Sequence, residues 1–372
     1  MNKPEIVIWR ETPIDVDLKT YEHIAEKWGS EVKCYYFDTL SSERIKTGFR
    51  IHSTIYSQKI DLSNINDFLF NELNAIHIIS GFSNNMRILL KKIKKLKIDK
   101  VVIIAEKPYL YCSFIKKILH NIYINVFYRY LAFKYKKNIQ LFLAMGKDGV
   151  LKYIKLGWPK EKICEYMYCS GSNANLTYNN LKDIIKFVYI GRMNKEFKGV
   201  DLLLNALDKI PEGKWSFDFI GDYGELVDDV KKLSLSKKNI NFLGSIEQNC
   251  LYHIISNYDC CVVPSRCEGW NLNVNHAINC GLSIIATKES VSGEILNNCD
   301  CGIFINEANA VEIEKAITYV IKNRDKIEIW KKNSLDFSKN ISKETVGNYF
   351  IELIMYYVLK KKKDIPYCPW NK

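Results

Sequence analysis

Two cations in the second half of the chain stand where proteins commonly bind phosphate. Arg192 follows Gly191 at the end of the apolar run Phe187–Ile190, and Lys198 comes just before an amphipathic stretch that predicts a helix over Val200–Leu207. A helix N-terminus has unpaired N–H groups and partial positive charge, and cations beside it strengthen anion binding. The spacing therefore favours a phosphate site. The alternative is an ordinary strand–helix loop whose charges are solvated.

A carboxylate is expected beside a second helix start. The apolar run Cys260–Val263 predicts a buried strand, a polar turn containing Glu268 follows it, and a helix is predicted from about Asn271 to Asn279. Three backbone N–H groups are expected to point into a cleft at this helix start, those of Trp270, Asn271 and Leu272. A diphosphate joined to a polyhydroxyl group needs such a pair, because N–H groups and cations bind phosphates while a carboxylate accepts hydrogen bonds from hydroxyls.

Glycines between these two segments predict another strand–helix turn. The strand Ser216–Ile220 ends at Gly221, and Gly224 follows three residues later. This pattern is a fragment of a Gly-rich loop. The complete G-x-G-x-x-G fingerprint of a dinucleotide site does not occur at this turn, which disfavours a nicotinamide-dependent dehydrogenase.

Short apolar runs alternate with amphipathic stretches along the chain, which predicts parallel sheets built from β-α-β units. The predicted strands are Glu5–Trp9, Val32–Phe37, Ala75–Ile79, Val101–Ala105, Leu141–Ala144, Lys186–Ile190, Ser216–Ile220, Ile240–Leu243, Cys260–Val263 and Leu282–Ala286. The stretch Cys169–Lys182 is rich in Ser, Gly and Asn and predicts a linker. It separates two halves that are each large enough for a doubly wound domain.

The second half resembles the donor-nucleotide domain of retaining glycosyltransferases of family 4, which have the GT-B fold. The resemblance covers about residues 187–319 and rests on the order and spacing of short motifs: Gly191–Arg192, Lys198–Gly199–Val200–Asp201, Gly221–Asp222, Phe242–Leu243–Gly244, Tyr258–Asp259, Pro264–Ser265, Glu268–Gly269, Ala277, Gly281 and Gly302. It implies an α/β protein with two Rossmann-like doubly wound domains that face a central cleft. We expect an acceptor-binding domain over residues 1–170 and a donor-binding domain over residues 173–341. Residues 342–372 are expected to form a helix that crosses back to the first domain, followed by a basic tail.

The resemblance also implies a reaction. A hexose-type sugar is expected to pass, with retention at the anomeric carbon, from a nucleotide-diphosphate sugar to a glycan acceptor, one that is lipid-linked in bacterial surface-polysaccharide synthesis. Arg192 and Lys198 are expected to hold the diphosphate and stabilise the leaving group, and Glu268 to contact the sugar hydroxyls. Further donor-binding residues are expected at Gly191, Gly221, Trp270, Asn271, Leu272 and His276. No metal or other cofactor is expected, because cations and the helix dipole replace it.

Two positions depart from the family pattern. His276 stands where the family usually has a second Glu that holds the nucleotide ribose. An imidazole can also bind a hydroxyl group, and the alternative is a histidine that packs or faces solvent. Asn271 stands where Gly is common, and its side chain would narrow the space beside the phosphates or donate a hydrogen bond to the donor.

The first half offers three candidates for the acceptor site or the reaction centre. Arg10 follows the first strand, where the family often has a Gly-rich loop, and would approach the donor phosphates as a substitute cation. His77 lies near the end of the run Ala75–Ile79, and Glu106 follows Val101–Ala105 at a strand's carboxyl end, where α/β proteins bind ligands. The alternatives are a surface Arg and a structural His.

The charge is uneven along the chain. Between Asn84 and Lys137 the sequence has 14 Lys and Arg residues against two acidic residues, so this segment accounts for a net charge equal to the +12 of the whole chain. Aromatic and aliphatic residues are interleaved with these cations, for example Phe114, Ile118, Ile122 and Val126 at helical spacing. Such a segment suits the surface of an anionic membrane. A helix pair packed on the sheet is the plain alternative, and single-stranded nucleic acid is a third partner that no recognition motif supports.

The remaining features set the expected location. No apolar run reaches the roughly 18–20 residues of a spanning helix, and residues 1–10 do not resemble a secretory signal. The twelve cysteines lack metal-ligand spacing, so buried reduced thiols are expected. We therefore expect a cytoplasmic protein, peripheral on the inner face of the cell membrane. The rival functions are a catalytically degenerate GT-B subunit that binds glycan or a partner, and a basic nucleic-acid-binding protein.

Overall fold

Two parallel β-sheets organise the chain, as the alternating pattern predicts. The computed structural model describes residues 3–13, 17–41, 45, 55–108, 114–169, 183–290 and 292–371. The first sheet has seven strands in the order β3-β2-β1-β4-β5-β6-β7. Its strands are β1 (Ile6–Arg10), β2 (Val32–Tyr36), β3 (Tyr56–Lys59), β4 (Ile76–Ser80), β5 (Val101–Ala105), β6 (Leu141–Met145) and β7 (Ile163–Tyr166). The helices around it are α1 (Leu18–Trp28), α2 (Ile65–Asn71), α3 (Asn84–Lys95), α4 (Phe114–Tyr135) and α5 (Gly146–Lys155).

The second sheet has six strands in the order β10-β9-β8-β11-β12-β13. Its strands are β8 (Ile185–Ile190), β9 (Trp215–Ile220), β10 (Ile240–Gly244), β11 (Cys260–Val263), β12 (Ser283–Thr287) and β13 (Gly302–Ile305). The accompanying helices are α6 (Val200–Lys209), α7 (Val227–Ser236), α8 (Gln248–Ile255), α9 (Leu272–Asn279), α10 (Leu296–Cys299), α11 (Ala310–Lys322) and α12 (Arg324–Ser338). The predicted α/β class with two Rossmann-like domains is confirmed.

Central strands form where the sequence is continuously apolar. All five residues of β5 and of β6 are buried, as are all four of β11, because helices cover both faces of a parallel sheet. The predicted linker falls mostly outside the described residues, since residues 170–182 are among those not described. The carboxyl ends of the strands carry the loops of interest in both sheets.

The last helix returns to the first sheet. Helix α13 (Lys343–Leu353), extended by one π-helical turn over Ile354–Val358, packs against α1. His23 of α1 and Asn348 of α13 are hydrogen-bonded at 3.0 Å between Nε2 and Oδ1. Farther along, Trp370 is buried and its indole donates to the Glu165 carboxylate of β7.

One expectation about the cysteines is wrong for one pair. Cys299 and Cys301 are joined by a disulfide in the turn between α10 and β13, although reduced thiols were expected throughout. The reason lies in local geometry, because the turn through Asp300 in the left-handed region brings the two Cα atoms to 5.4 Å. The other described cysteines are not assigned to disulfides, and most of them are buried.

Candidate functional site

Two glycine turns meet at the carboxyl edge of the second sheet. Gly191 ends β8 with φ +134° and Gly221 ends β9 with φ +135°, and both values lie where residues with a Cβ are strained. A Cβ on Gly221 would collide with the backbone carbonyl of Gly191. The hydrogen bond from the Met193 N–H to the Tyr223 carbonyl, at 2.6 Å, joins the two loops. Gly221 therefore lets the backbones of the two loops touch, and both turns have backbone angles that favour glycine.

Lys198 and Glu268 form an ion pair at this edge. The Nζ–Oε1 distance is 2.6 Å, and the side chains are only 13% and 12% exposed. Lys198 is held by its own N–H, which donates to Asn194 Oδ1 at 2.9 Å. Gly199 then starts helix α6 with φ +65°, packed so closely on the Pro264 carbonyl that a Cβ would collide with it. The two predicted catalytic residues thus come from neighbouring strand ends and meet.

The Glu268 loop, defined here as residues 265–272, is held from within. The Ser265 hydroxyl donates to Glu268 Oε1 at 3.0 Å, and Asn271 Nδ2 donates to Ser265 Oγ at 3.2 Å and to Glu268 Oε1 at 3.4 Å. Asn271 Oδ1 also accepts the Asn273 N–H and so caps helix α9. The Asn271 side chain is buried. It orients the carboxylate, and its expected effect on the phosphate space or the donor stays a prediction.

The start of α9 is anchored on both sides. Asn273 Nδ2 donates to the carbonyl of Ile190 in β8 at 2.6 Å. Trp270 is buried, and its indole N–H donates to Asn275 Oδ1 at 3.1 Å. Leu272, the first residue of α9, is partly buried. Sequence reasoning missed Ser265, Asn273 and Asn275 as supports, although three asparagines at alternate positions around a helix start were a usable signal.

Arg192 lies at the mouth of the site. Its side chain is exposed, one residue beyond Gly191. Its carbonyl accepts the hydroxyl of Tyr189 at 2.6 Å, which fixes the backbone of the turn. Burial, followed by the charge of Glu268, raises the pKa of Tyr189, so this hydroxyl stays protonated and donates. Arg192 therefore adds an exposed cation next to Gly191, in the same strand–helix loop as Lys198.

Glu106 is brought to the same place from the first domain. It follows β5, and a Cβ on Gly269 would collide with its carboxylate. The Glu106 carbonyl accepts the hydroxyl of Tyr153 at 2.7 Å. The carboxyl edges of the two sheets therefore face each other, and Glu106 touches the Glu268 loop across the gap.

Two first-domain candidates are placed elsewhere. His77 is the second residue of β4 and is fully buried, with Nδ1 accepting the Trp9 indole N–H at 3.0 Å and Nε2 at 3.0 Å from the Glu72 carbonyl. Burial lowers its pKa to about 4, so the ring is neutral. The expectation that His77 faces the cleft is wrong. Arg10 is the last residue of β1, and its guanidinium pairs with Asp17 at 2.9 Å, so its charge is already matched.

His276 is buried as well. Its Nδ1 is 2.9 Å from the Tyr252 hydroxyl, and the two rings meet edge to face. Burial lowers the pKa of His276 to about 4. The structure thus favours a packing role for this ring, and the ribose contact stays a prediction. Within the described residues, no group of three or more His, Cys, Asp or Glu side chains is arranged to hold a metal ion.

Comparisons with known proteins agree with this geometry. Residues 178–337 match the model of the family described as glycosyl transferases group 1. A protein described as uncharacterized, of 41.2 kDa and in the cps region of Klebsiella pneumoniae, is 24% identical over 306 residues, or 77% of this chain and 80% of that protein. An uncharacterized glycosyltransferase of Methanocaldococcus jannaschii is 28% identical over 184 residues, or 47% of this chain and 49% of that protein. The chain therefore spans about half the length of this second relative.

A solved structure extends the likeness to both domains. Anabaena HepE in complex with UDP superposes with a TM-score of 0.75, over 95% of this chain and 100% of that chain, at 13% sequence identity. The fold is therefore GT-B.

Proposed function

We propose that this chain is a retaining glycosyltransferase that moves a hexose-type sugar from a nucleotide-diphosphate donor to a glycan acceptor that is lipid-linked. The observation that carries the proposal is the Lys198–Glu268 pair, 2.6 Å apart and largely buried between the starts of two helices. A site that binds only phosphate has no need of a buried carboxylate, because that charge repels the ligand. A phosphate joined to hydroxyl groups uses both members of the pair.

The proposed roles follow from position. Lys198, Arg192 and the first N–H groups of α9 bind the diphosphate and stabilise the charge that develops on it as the sugar–phosphate bond breaks. Glu268 accepts hydrogen bonds from the sugar hydroxyls, and Glu106 approaches the transferred group from the acceptor side. The same Anabaena protein has been solved with UDP-glucose, which supports a nucleotide sugar as the donor. The relative in a cps region supports polysaccharide synthesis as the setting.

A thermal-shift screen tests the donor. The protein is heated with UDP, GDP, dTDP and ADP sugars, and one of these is expected to raise the melting temperature, because a ligand bound only by the folded state stabilises it. The shift should disappear in Lys198→Ala and persist in Lys237→Ala, whose Nζ contacts backbone carbonyls at the far end of α6. No shift with any donor contradicts the proposal. A shift without hydrolysis or transfer favours the degenerate GT-B subunit.

The proposed enzyme works at a membrane, and helix α4 is its contact. The helix turns large apolar side chains outward at intervals of three and four residues, and we call this surface the α4 stripe: Ile118, Leu119, Ile122, Tyr123, Val126, Tyr130 and Phe133. Phe133 is 81% exposed. The predicted helical spacing is thus present, but these residues face out instead of packing on the sheet. Phe114 belongs to α4, although its side chain lies outside the described set.

Cations border the α4 stripe. Lys94 of α3 donates to the carbonyl of Lys134 at 2.8 Å, which brings the basic end of α3 beside the end of α4. Exposed cations around this junction include Lys91, Lys95, Lys97, Arg129 and Lys137. The sequence of α4 contains no acidic residue. Apolar side chains with neighbouring cations and no carboxylates suit an anionic lipid surface. Among the described residues, no helix is long and apolar enough to cross a membrane.

Flotation with liposomes tests this contact. We expect the protein to float with vesicles containing anionic phosphatidylglycerol at low salt and to stay at the bottom with neutral vesicles. Leu119→Ser combined with Phe133→Ser should abolish flotation. Leu235→Ser, at a residue that is 88% exposed on α7, is the matched control and should float normally. Absence of binding to anionic vesicles at low salt contradicts the membrane part of the proposal.

A further inference from the structure

One carboxylate joins the first domain to the segment behind the Glu268 loop. Glu294 lies in a short 3-10 turn, Ser292–Ile295, of the second domain. Its carboxylate accepts the N–H groups of Lys147 at 3.1 Å and Asp148 at 3.2 Å. These groups belong to the first turn of α5, which begins immediately after β6 of the first sheet. A carboxylate at a helix N-terminus is a favourable partner, since it satisfies unpaired N–H groups and complements the helix dipole.

The same turn is tied to the Glu268 loop. The Ser292 hydroxyl is buried and donates to the Asn271 carbonyl at 2.6 Å. Asn271 in turn donates to Glu268 Oε1, as described above. A continuous series of hydrogen bonds and short backbone links therefore runs from the start of α5 to the Lys198–Glu268 pair.

The turn itself is rigid. The Gly293 N–H donates to Ser290 Oγ at 3.0 Å, and a Cβ on Gly293 would press on this hydroxyl and on the backbone of Thr287. Thr287 closes the arrangement, because its hydroxyl donates to the Ser265 carbonyl at 2.5 Å. The turn that carries Glu294 is therefore joined to the Glu268 loop at two points, Asn271 and Ser265.

Charged residues of the first domain surround Glu294. Burial and the nearby Asp148 carboxylate raise the pKa of Glu294 to about 7, with Glu165 adding to the rise, while Lys107 and the N–H group of Asp148 oppose it. Lys107 also pairs with Asp148 at 2.9 Å. Burial and the neighbouring carboxylates disfavour the ionised form of Glu294. The hydrogen bonds from the start of α5, in the other domain, favour that form and hold the carboxylate in place.

We propose that Glu294 is a positioning residue that transmits the approach of the first domain to Glu268 through Ser292 and Asn271. Its effect on turnover rests on the proposed function, whereas the mechanical coupling does not. When α5 engages Glu294, the Glu268 loop is held in the arrangement that pairs Glu268 with Lys198. When the domains separate, the loop loses this support.

Amide hydrogen exchange of the full-length protein tests the coupling without any substrate. In Glu294→Ala we expect peptides covering the start of α5 and peptides covering the Glu268 loop both to exchange faster, by about tenfold, because local opening becomes easier. In Ser292→Ala only the loop should change, since the contact with α5 remains. Glu312→Ala on α11 and Ser234→Ala on α7 are the matched controls and should change neither region. Faster exchange at α5 with an unaltered loop in Glu294→Ala overturns the proposal.

Kinetics provide the second arm. With the donor found by the thermal-shift screen, Glu294→Ala should lower kcat about tenfold and weaken nucleoside diphosphate binding by a clearly smaller factor, because it misplaces Glu268 while Lys198 and Arg192 still hold the diphosphate. Glu294→Gln retains one acceptor oxygen and should restore part of kcat. Equal effects on kcat and nucleotide affinity overturn the positioning role. If the wild-type protein turns over no nucleotide sugar, the proposed function fails, while the exchange experiment still decides the coupling.

Discussion

The two domains use the ends of their strands differently. In the second domain, Lys198 and Glu268 follow strands β8 and β11, and the loops bring them to 2.6 Å. Of the three first-domain candidates, Glu106 follows a strand and contacts the Glu268 loop, whereas His77 lies inside β4 and Arg10, at the end of β1, is paired with Asp17. Residue type suggested all three first-domain candidates equally. Glu106 differs from the other two in its position, because it lies just beyond the end of a strand, beside the Glu268 loop.

Removing either member of the second-domain pair should give the largest effect. Lys198→Ala and Glu268→Ala are each expected to lower donor hydrolysis or transfer by about 10²–10³-fold, because each removes a preorganised group that acts on the transition state. The measurement is kcat/KM with the donor identified by thermal shift.

A second ion pair in the same domain is the control for this experiment. Lys331 and Asp259 are 2.8 Å apart and even more buried, but Asp259 lies before β11, at the opposite edge of the sheet. Lys331→Met should destabilise the fold by about 3–5 kcal/mol, since it leaves an unpaired buried carboxylate. Activity per folded molecule should be retained. If Lys331→Met abolished activity in folded protein while Lys198→Ala did not, the contrast between the two edges would be wrong.

The contact between the domains can be tested at Gly269. A methyl group there would collide with the Glu106 carboxylate, so Gly269→Ala should displace the Glu106 side chain and lower kcat by about 10–10²-fold, the loss expected for a misplacement near 1 Å. Gly213→Ala is the matched control, because a Cβ at Gly213 meets only the Trp215 ring at ordinary distances. An unchanged kcat in Gly269→Ala would show that Glu106 does not approach the loop during turnover.

The sequence predicts central strands better than edge strands. All ten strands expected from apolar runs are present, whereas β3, β7 and β13 were missed, and each of these lies at the edge of a sheet. Edge strands are short and less apolar, as Tyr-Ser-Gln-Lys in β3 illustrates, because one side faces no neighbour. Burial on both faces is what produces a readable apolar run.

The residues of the candidate site also differ in how well the sequence predicts them. Gly191, Gly221, Lys198 and Glu268 were predictable, because tight turns and charged residues at strand ends leave local signals. The link from Glu294 to α5 joins residues 147 positions apart and leaves no local pattern. His77 was misread for the same reason, because its partner Trp9 is 68 positions away and becomes a neighbour only when β1 and β4 pair.

His77 should matter for stability alone. His77→Ala is expected to lower the free energy of unfolding by about 2–4 kcal/mol, since it opens a cavity and leaves the Trp9 indole N–H without its acceptor. Urea unfolding measures the loss, and kcat/KM at a temperature where the variant is folded should match the wild type. Loss of activity in fully folded His77→Ala would return this residue to the list of site candidates.

The smallest expected effect is a pH dependence of stability from one buried histidine in each domain. His77 and His276 both have a pKa lowered by burial to about 4, below the ordinary value of 6.5, so the folded state binds fewer protons than the unfolded state between these pH values. Stability from each is present above pH 6.5 and is lost as the pH falls towards 4, by about 1–2 kcal/mol at pH 5 for each ring. His77→Gln and His276→Gln should each flatten the fall in unfolding free energy between pH 7 and pH 5, measured by urea titration.

Nucleoside diphosphate affinity tests whether His276 also binds the donor. His276→Gln should change this affinity by less than about twofold, because the ring is engaged by Tyr252. A tenfold loss of affinity would instead assign His276 to the ribose. The buried histidine of the second domain would then bind ligand, whereas His77, the buried histidine of the first domain, only packs.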